Sequence, residues 1–423
     1  MKKAFTLFVF IIALTFSHAQ IITPNDSVST SAQNTDMVFY NLATAQKTTA
    51  SNTDWHLAVT VRPTQFPNAP LGGTSIRLNE SNGVHAYIAP SADSTTYNTL
   101  DTTNWQTWRM LHDADTTIDE GALNSTRRHS GPNYFFDFGW GWYNSSSHNV
   151  VGDSVFIIAL PNNQFKKIII NLIWDTAFVI KYSNIDNSSP QTIYISKHNY
   201  QGKEFVYLNL LDNTVKDKEP LSSTWDLLFL KYAATDVTAD SVTPKVGVWL
   251  NSGNTAARCS GVDLNLNSAS SAYKNALNSI GWNWYYFNSG SNAYAVYDSL
   301  DYFVHTIGGT DYKIIFTGFG GTTTGVVSFY KQAITTGIKN IYVDENAVTV
   351  FPNPGSNHIS IRSSQYKFSV MKIADLNGRE VMSTRFPDME LSELDISSLT
   401  NGIYFITLVS NETSVTKKII VAR

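Results

Sequence analysis

The sequence predicts an all-β chain, built as two similar β-sheet units in tandem and a small β-sandwich behind them. Three observations predict it. Apolar and polar residues alternate along most of the chain, as in Trp225, Leu227 and Phe229 or Tyr312, Ile314 and Phe316, which is the period of a half-buried strand. A set of short motifs occurs twice in the same order. The last segment, 345–423, breaks into five to seven short strands at hairpin signals. Only 15% of residues are charged and 13% are aromatic, a balance that suits pleated sheet.

The chain opens with Lys2 and Lys3, an apolar run over 4–16, and Ser17-His18-Ala19. A basic start, a short apolar stretch and a small residue before the cut make a cleavable signal peptide over 1–19. The run is shorter than the ~20 residues a spanning helix needs, and no later segment is apolar enough to span. Export through the periplasm to the surface is therefore expected. The net charge of −4 gives no basic stripe for nucleic acid. A lone cysteine, Cys259, reads as a small buried hydrophobe.

The first unit covers 36–200 and the second 203–335. Val38-Phe39-Tyr40-Asn41-Leu42 matches Val206-Tyr207-Leu208-Asn209-Leu210. Trp55-His56-Leu57 matches Trp225-Asp226-Leu227, and Leu78-Asn79 matches Leu250-Asn251. Gly139-Trp140-Gly141-Trp142-Tyr143 is aligned with Gly281-Trp282-Asn283-Trp284-Tyr285. The strand pair 165–172 and 178–182 answers 312–316 and 326–330. The first unit carries an insertion over about 89–130, and long loops on a β scaffold are where function tends to sit. Residues 269–280 form the one stretch that reads as a short helix.

In the third segment, Val350-Phe351-Pro352-Asn353-Pro354, Asp375-Leu376-Asn377-Gly378-Arg379, 394–399 and Asn401-Gly402-Ile403-Tyr404 resemble the type A sorting domain of type IX secretion cargo. The resemblance implies an Ig-like β-sandwich at 345–423, contact with the type IX secretion machinery, and release or surface attachment. The repeated units look like HmuY-type haem-binding proteins. The residues that carry this are 225–229, 247–251, 282–285 and 312–319 with 328–330. That resemblance implies two tandem HmuY-like β-sheet units and, for some members, capture of haem by two side-chain ligands. Members often carry an acylated cysteine after the signal. This chain has none there, so its surface address is expected from the sorting domain.

Haem iron takes His, Met or Tyr ligands inside an apolar cleft. The second unit offers only His305, whereas the first offers His56, His85, His112, His129, His148 and His198. His112 or His129 with His148 is the expected ligand pair. Arg109, Arg127 and Arg128 are expected to meet propionates, and Trp140 and Trp142 to wall the ring. Their recurrence in the histidine-poor second unit instead favours a place in the core for the tryptophans. His56 falls off the apolar register of its strand and is expected at solvent or on the other sheet face. Asp113, Asp115, Asp119 and Glu120 crowd one loop without calcium-loop spacing, which reads as a solvated acidic loop. No nucleophile elbow, phosphate loop or zinc-protease helix occurs. The expected function is non-catalytic capture of haem or a related tetrapyrrole through the first unit of a secreted, surface-delivered protein, with haem or a haem-carrying host protein as partner. The alternative is a surface adhesin or carbohydrate-binding protein that uses exposed aromatics.

Overall fold

The structure, a computed structural model, describes residues 23–64, 72–127, 136–236, 241–261, 264, 266–334, 348–363, 368–389, 391–409 and 414–423. The signal segment 1–19, Arg128 and His129 lie outside the described residues. Among the described residues there are thirty strands and one α-helical turn, Gly321–Thr324. The chain divides into two compact units, 1–334 and 335–423. All named strand pairings are antiparallel, as the alternation predicts.

The first compact unit stacks four sheets. One outer sheet orders Gln191–Ser196, Ala177–Asn184, Phe165–Ile173, Phe156–Ala159, His85–Ile88 and Arg109–Leu111, with the hairpin Gly141–Asn144/Asn149–Gly152 joined at Leu172↔Val150. The inner sheet beside it orders Thr214–Lys216, Phe205–Asn209, Leu57–Thr60 and Ile76–Leu78. The second inner sheet orders Ser241–Leu250, Leu227–Asp236, Asp36–Tyr40 and Lys47–Ser51. The second outer sheet orders Asp26–Ser29, Val326–Ile334, Asp311–Phe319, Leu300–His305 and Thr255–Ser260.

Three cores fill the spaces between these layers. Leu57, Val59, Val206 and Leu208 face Ile168, Ile170 and Phe178 in the first. Val38, Tyr40, Leu227 and Phe229 face Tyr302, Ile314 and Phe329 in the last. Between the inner sheets, Phe39, Trp55, Ala58 and Tyr207 meet Trp225, Leu228, Leu230 and Tyr232. Each inner sheet is therefore buried on both faces, which explains why its strands read as near-continuous apolar runs. Trp225, expected on the face of Leu227 and Phe229, instead joins the middle core from the end of a short turn before its strand.

The boundary between the repeats is not where the motifs change over. The opening strand of the second copy, Phe205–Asn209, pairs with Leu57–Thr60 of the first. The opening strand of the first copy, Asp36–Tyr40, pairs with Leu227–Asp236 of the second. The two pairings share one register: Leu208↔Leu57 and Val206↔Val59 correspond to Tyr40↔Leu227 and Val38↔Phe229. Asp26–Ser29 likewise edges the second outer sheet, as Gln191–Ser196 edges the first. The N-terminal strands thus close the second half of the stack, and the copies exchange their first strands.

Polar contacts repeat the same relation. Leu210 N–H donates to His56 Nδ1 (2.9 Å), and Leu42 N–H donates to Asp226 Oδ2 (2.7 Å). Asn79 Nδ2 donates to the carbonyls of Asn52 (2.8 Å) and Trp55 (3.0 Å); Asn251 Nδ2 donates to those of Ser222 (2.5 Å) and Trp225 (2.6 Å). Buried backbone groups need partners, and the recurring Asn supplies them at both copies. His56 is buried, not solvent-facing, and desolvation pushes its pKa down to about 4, so it stays neutral with Nδ1 as acceptor.

Two further expectations change. Residues 269–280 contain no helix; Ala256 and Lys274 exchange backbone hydrogen bonds (2.8 Å each way), and Leu277 N–H donates to Thr116 O (2.8 Å). Those backbone groups bind a strand edge and the acidic loop and are not available to an i→i−4 ladder. The tryptophan motifs are also offset by two. Asn144 and Asn288 each accept from the N–H groups two and three residues on, and His148 and Asn292 each follow with positive φ (56° and 50°). That equates Trp140 with Trp284 and Tyr143 with Phe287. Trp140 and Trp284 are both fully buried.

The second compact unit is a two-sheet β-sandwich. Val348–Phe351, His358–Ser363 and Leu391–Asp395 form one sheet; Glu380–Met389, Phe368–Ala374, Gly402–Val409 and Ser414–Val421 form the other. Ile359, Ile361, Met371, Ile373, Ile406 and Ile419 fill the space between. The Asn377-Gly378 turn is held by Asp375 Oδ1, which accepts from Asn377 N–H (3.0 Å) and Arg379 N–H (3.1 Å), with Gly378 at φ 79°.

Candidate functional site

The structure sets His112 and His148 apart, and His129 lies outside the described residues. Register along the first outer sheet puts Leu111 level with Lys166 and Val150 level with Leu172. His112 then lies at the level of Phe165 and His148 beyond Ile173. Eight residues at ~3.3 Å each separate those levels by roughly 26 Å, whereas two axial ligands sit about 4 Å apart, with Fe–N bonds near 2 Å. His148 is exposed at a hairpin tip with Nδ1 2.9 Å from the Tyr143 hydroxyl. His112 Nδ1 lies 3.3 Å from Glu80 Oε1. Trp140 is sealed in the core, its Nε1 donating to Thr74 O (3.1 Å). Trp142 is half-buried against Phe136. Arg109 and Arg127 do come together, lining an open hollow of about 310 Å³ with Ile88, Ala89, Pro90 and Thr126. Arg127 also reaches Glu120 (3.5 Å).

The acidic loop is a clasp. Arg77, buried beneath it, donates to the carbonyls of Ala114 (2.7 Å) and Thr117 (2.9 Å) and stacks on Trp249 (5.1 Å). Asp113 accepts from Leu78 N–H (3.0 Å) and Ala122 N–H (2.6 Å), Asp115 accepts from Thr235 N–H (3.0 Å), and Asp119 pairs with Arg62. Each carboxylate has a partner within the protein, and no cluster of three metal-ligating side chains occurs among the described residues. Glu80, beside Asp113, is pushed up to about 9, first by burial and then by that neighbouring carboxylate. The cavity between the inner sheets, lined by Trp55, Tyr207, Trp225 and Trp249, measures about 60 Å³. That is room for a few waters and too small for a tetrapyrrole.

The aromatic surface lies elsewhere, on the hairpin Tyr285–Asn288/Ala293–Val296. Tyr285, Tyr286 and Phe287 are consecutive in a strand, where side chains alternate faces. Tyr285 and Phe287 share the face that meets Tyr294 and Tyr286 takes the other beside Tyr297; Tyr285 is buried, whereas Phe287, toward the hairpin tip, stands 54% exposed, with Tyr286, Tyr294 and Tyr297 exposed as well. Behind them Trp284 stacks on Phe316 (4.2 Å, 18°) and its Nε1 donates to Gly281 O (3.1 Å), which anchors the hairpin. Tyr294 sits among Phe287 (5.4 Å), Tyr285 (5.5 Å) and Phe319 (5.0 Å). Gly321 (φ 59°) makes room for it: a Cβ there would come within 2.4 Å of the Tyr294 ring.

This hairpin walls a groove of about 410 Å³, whose lining also includes Trp282, Lys245, Lys231, Gln33 and Asn34. Lys245 Nζ sits 4.4 Å above the Trp282 ring, a cation–π contact. Ser31, Gln33 and Asn34 adopt positive φ (64°, 59° and 54°), a turn pinned by Thr30 Oγ1 donating to Asn34 Oδ1 (2.7 Å) and Thr30 N–H donating to Gly325 O (3.0 Å). Flat apolar rings beside amide and ammonium groups are the chemistry of a site that stacks on a ring and hydrogen-bonds its rim. The matching hairpin of the first half is covered: Tyr143, equivalent to Phe287, packs against Phe136 (5.8 Å), Trp174 (5.2 Å) and His148 (6.3 Å). The signal for this surface in the sequence is residues 285–287: three aromatics in a row on a strand cannot all face one core.

Residues 349–422 match the family described as Secretion system C-terminal sorting domain. No curated protein matches the chain. One solved structure, the BSP domain of a biofilm associated protein, aligns over 81% of this chain at 14% identity with a TM-score of 0.15. The alignment spans 57% of that protein's length, and a likeness this slight carries no argument. The sorting domain makes this a secreted or surface-delivered β-protein that engages the type IX secretion machinery.

Proposed function

We propose that the protein is a non-catalytic surface adhesin that binds carbohydrate in the groove beside Phe287. The observation that carries this is the exposed aromatic hairpin around that groove. Phe287, Tyr286 and Tyr294 are exposed, Trp282 is held by a lysine, and Gln33 brings an amide to the groove. Delivery to the surface by the sorting domain fits a protein that meets glycans outside the cell.

The test is binding of the full chain to an immobilised panel of oligosaccharides, with Phe287→Ala and Trp282→Ala as variants. A stacking ring contributes ~0.5–1.5 kcal/mol, so each loss is expected to weaken binding about 2- to 10-fold. Unchanged binding by both variants, with intact folding, places any glycan site elsewhere. The haem reading keeps one supporting observation, the hollow shared by Arg109 and Arg127, which offers two guanidiniums to paired carboxylates. A haem titration of the same chain tests it: a saturable, shifted Soret band at about one haem per chain supports capture, and an unchanged spectrum in both redox states ends it.

A further inference from the structure

We propose that the groove beside Phe287 selects acidic sugars, whose carboxylate or sulfate group is met by Lys245, with Lys231 adding positive charge to the same groove. This rests on the carbohydrate reading of the same groove.

The charge balance of the groove carries the argument. Among its described lining residues are two lysines and no Asp or Glu, on a chain whose net charge is −4. Elsewhere in the first compact unit lysines commonly find acids: Lys47 with Asp26 (2.8 Å), Lys203 with Asp217, and Lys218 with Asp54 (2.6 Å). Lys245 instead rests on the face of Trp282. Lys231 sits half-buried on the adjacent strand, in the pair Lys231↔Val246 next to Tyr232↔Lys245, so the two side chains leave opposite faces of that sheet, and both residues line the groove. Burial pushes the Lys231 pKa down, the sign of an ammonium that has lost water without gaining an anion. Burying part of an unpaired charge is unfavourable, and an anionic ligand offsets that cost where a neutral one does not. The aromatic wall gives ring stacking, and the ammoniums then choose among rings by charge.

The experiment uses the full chain and matched probes that differ in charge alone. Hexagalacturonate is compared with its methyl ester, and sialylated and sulfated oligosaccharides with their neutral parents, by calorimetry at two salt concentrations. The expected result is at least ~10-fold tighter binding of an acidic member than of its neutral parent, weakened by salt. Lys245→Gln should weaken binding of the acidic member more than that of its neutral parent, reducing the preference about 3- to 10-fold, and Lys245→Arg should restore much of it. Equal binding of acidic and neutral partners, or an equal loss on both with Lys245→Gln, overturns the acid selection and leaves the carbohydrate reading standing. Binding of no member of the panel overturns both.

Discussion

Removing residues 23–52 should abolish folding of 23–334, and moving them to the other end should restore it. The segment buries Val28, Met37, Val38, Phe39, Tyr40 and Leu42, each at 2% exposure or less. At ~1.5–3 kcal/mol per buried large side chain, six of them contribute roughly 9–18 kcal/mol, an upper range because unfolded chains already bury some surface. A typical net stability is ~5–15 kcal/mol, so the remainder cannot hold without them. In the permuted chain, residues 53–334 come first, a Gly/Ser linker follows, and residues 23–52 close it. Asn25 N–H donates to Phe329 O (3.1 Å) and its side chain brackets Lys331, so the segment begins beside the last strand. About six linker residues span ~13 Å, enough to join them. Thermal unfolding followed by circular dichroism and tryptophan fluorescence reads the outcome. The deletion should show no cooperative transition, the permutant one transition within a few degrees of the parent. A deleted chain that still melts cooperatively near the parent temperature would refute the closure. Serial units, each folding on its own strands, would then be the better description.

Three more outcomes follow from single sites. Glu80 holds a proton in the fold up to about pH 9, against 4.5 for the free carboxyl, so stability should fall as pH rises between those values; Glu80→Gln should remove that slope, at most ~1.4 kcal/mol per pH unit, and raise the melting temperature more at pH 8.5 than at pH 5. His56 stays neutral in the fold down to about pH 4, so stability should fall as pH drops from 6.5 toward 4; His56→Asn keeps an acceptor for Leu210 N–H and should flatten that limb in urea titrations, and an unchanged slope would mean another group titrates. Gly321→Ala forces a Cβ against the Tyr294 ring at a left-handed φ; it should cost ~1–3 kcal/mol and weaken glycan binding several-fold, whereas unaltered binding would separate Tyr294 from the site.

The all-β class and the duplication were legible because alternation and motif order are local properties of the sequence. The exchange of first strands was not, and the reason lies in the repeat itself. Val38-Phe39-Tyr40 and Val206-Tyr207-Leu208 fit the Leu57 and Leu227 strands in one register, so the motif does not say which partner each takes. The tryptophan offset has a similar cause. A Gly-Trp-x-Trp-Tyr run has period two, so sliding it by two positions still matches tryptophan to tryptophan; only the turn at Asn144 and Asn288 fixes the frame. The number of histidines marks the first half, but their places follow from strand level: His112 and His148 stand at different heights along one sheet.

His56 shows how far the two halves have diverged within one plan. Where Asp226 accepts the N–H of Leu42, His56 accepts the N–H of Leu210. What the position requires is an acceptor, and an imidazole held neutral by burial provides one as a carboxylate does. The same reasoning separates the two hairpins. Their turns match, down to the positive φ at His148 and Asn292. In the first half His148 folds back onto Tyr143, and Phe136 and Trp174 cover the ring. In the second half Asn292 puts no ring there, and Phe287 stays open. One scaffold position thus serves packing in one copy and exposure in the other. Tyr143, half-buried, shows that the fold can cover a ring at this position, so the exposure of Phe287 is not imposed by the scaffold, and it is the reason a ligand is sought on that side.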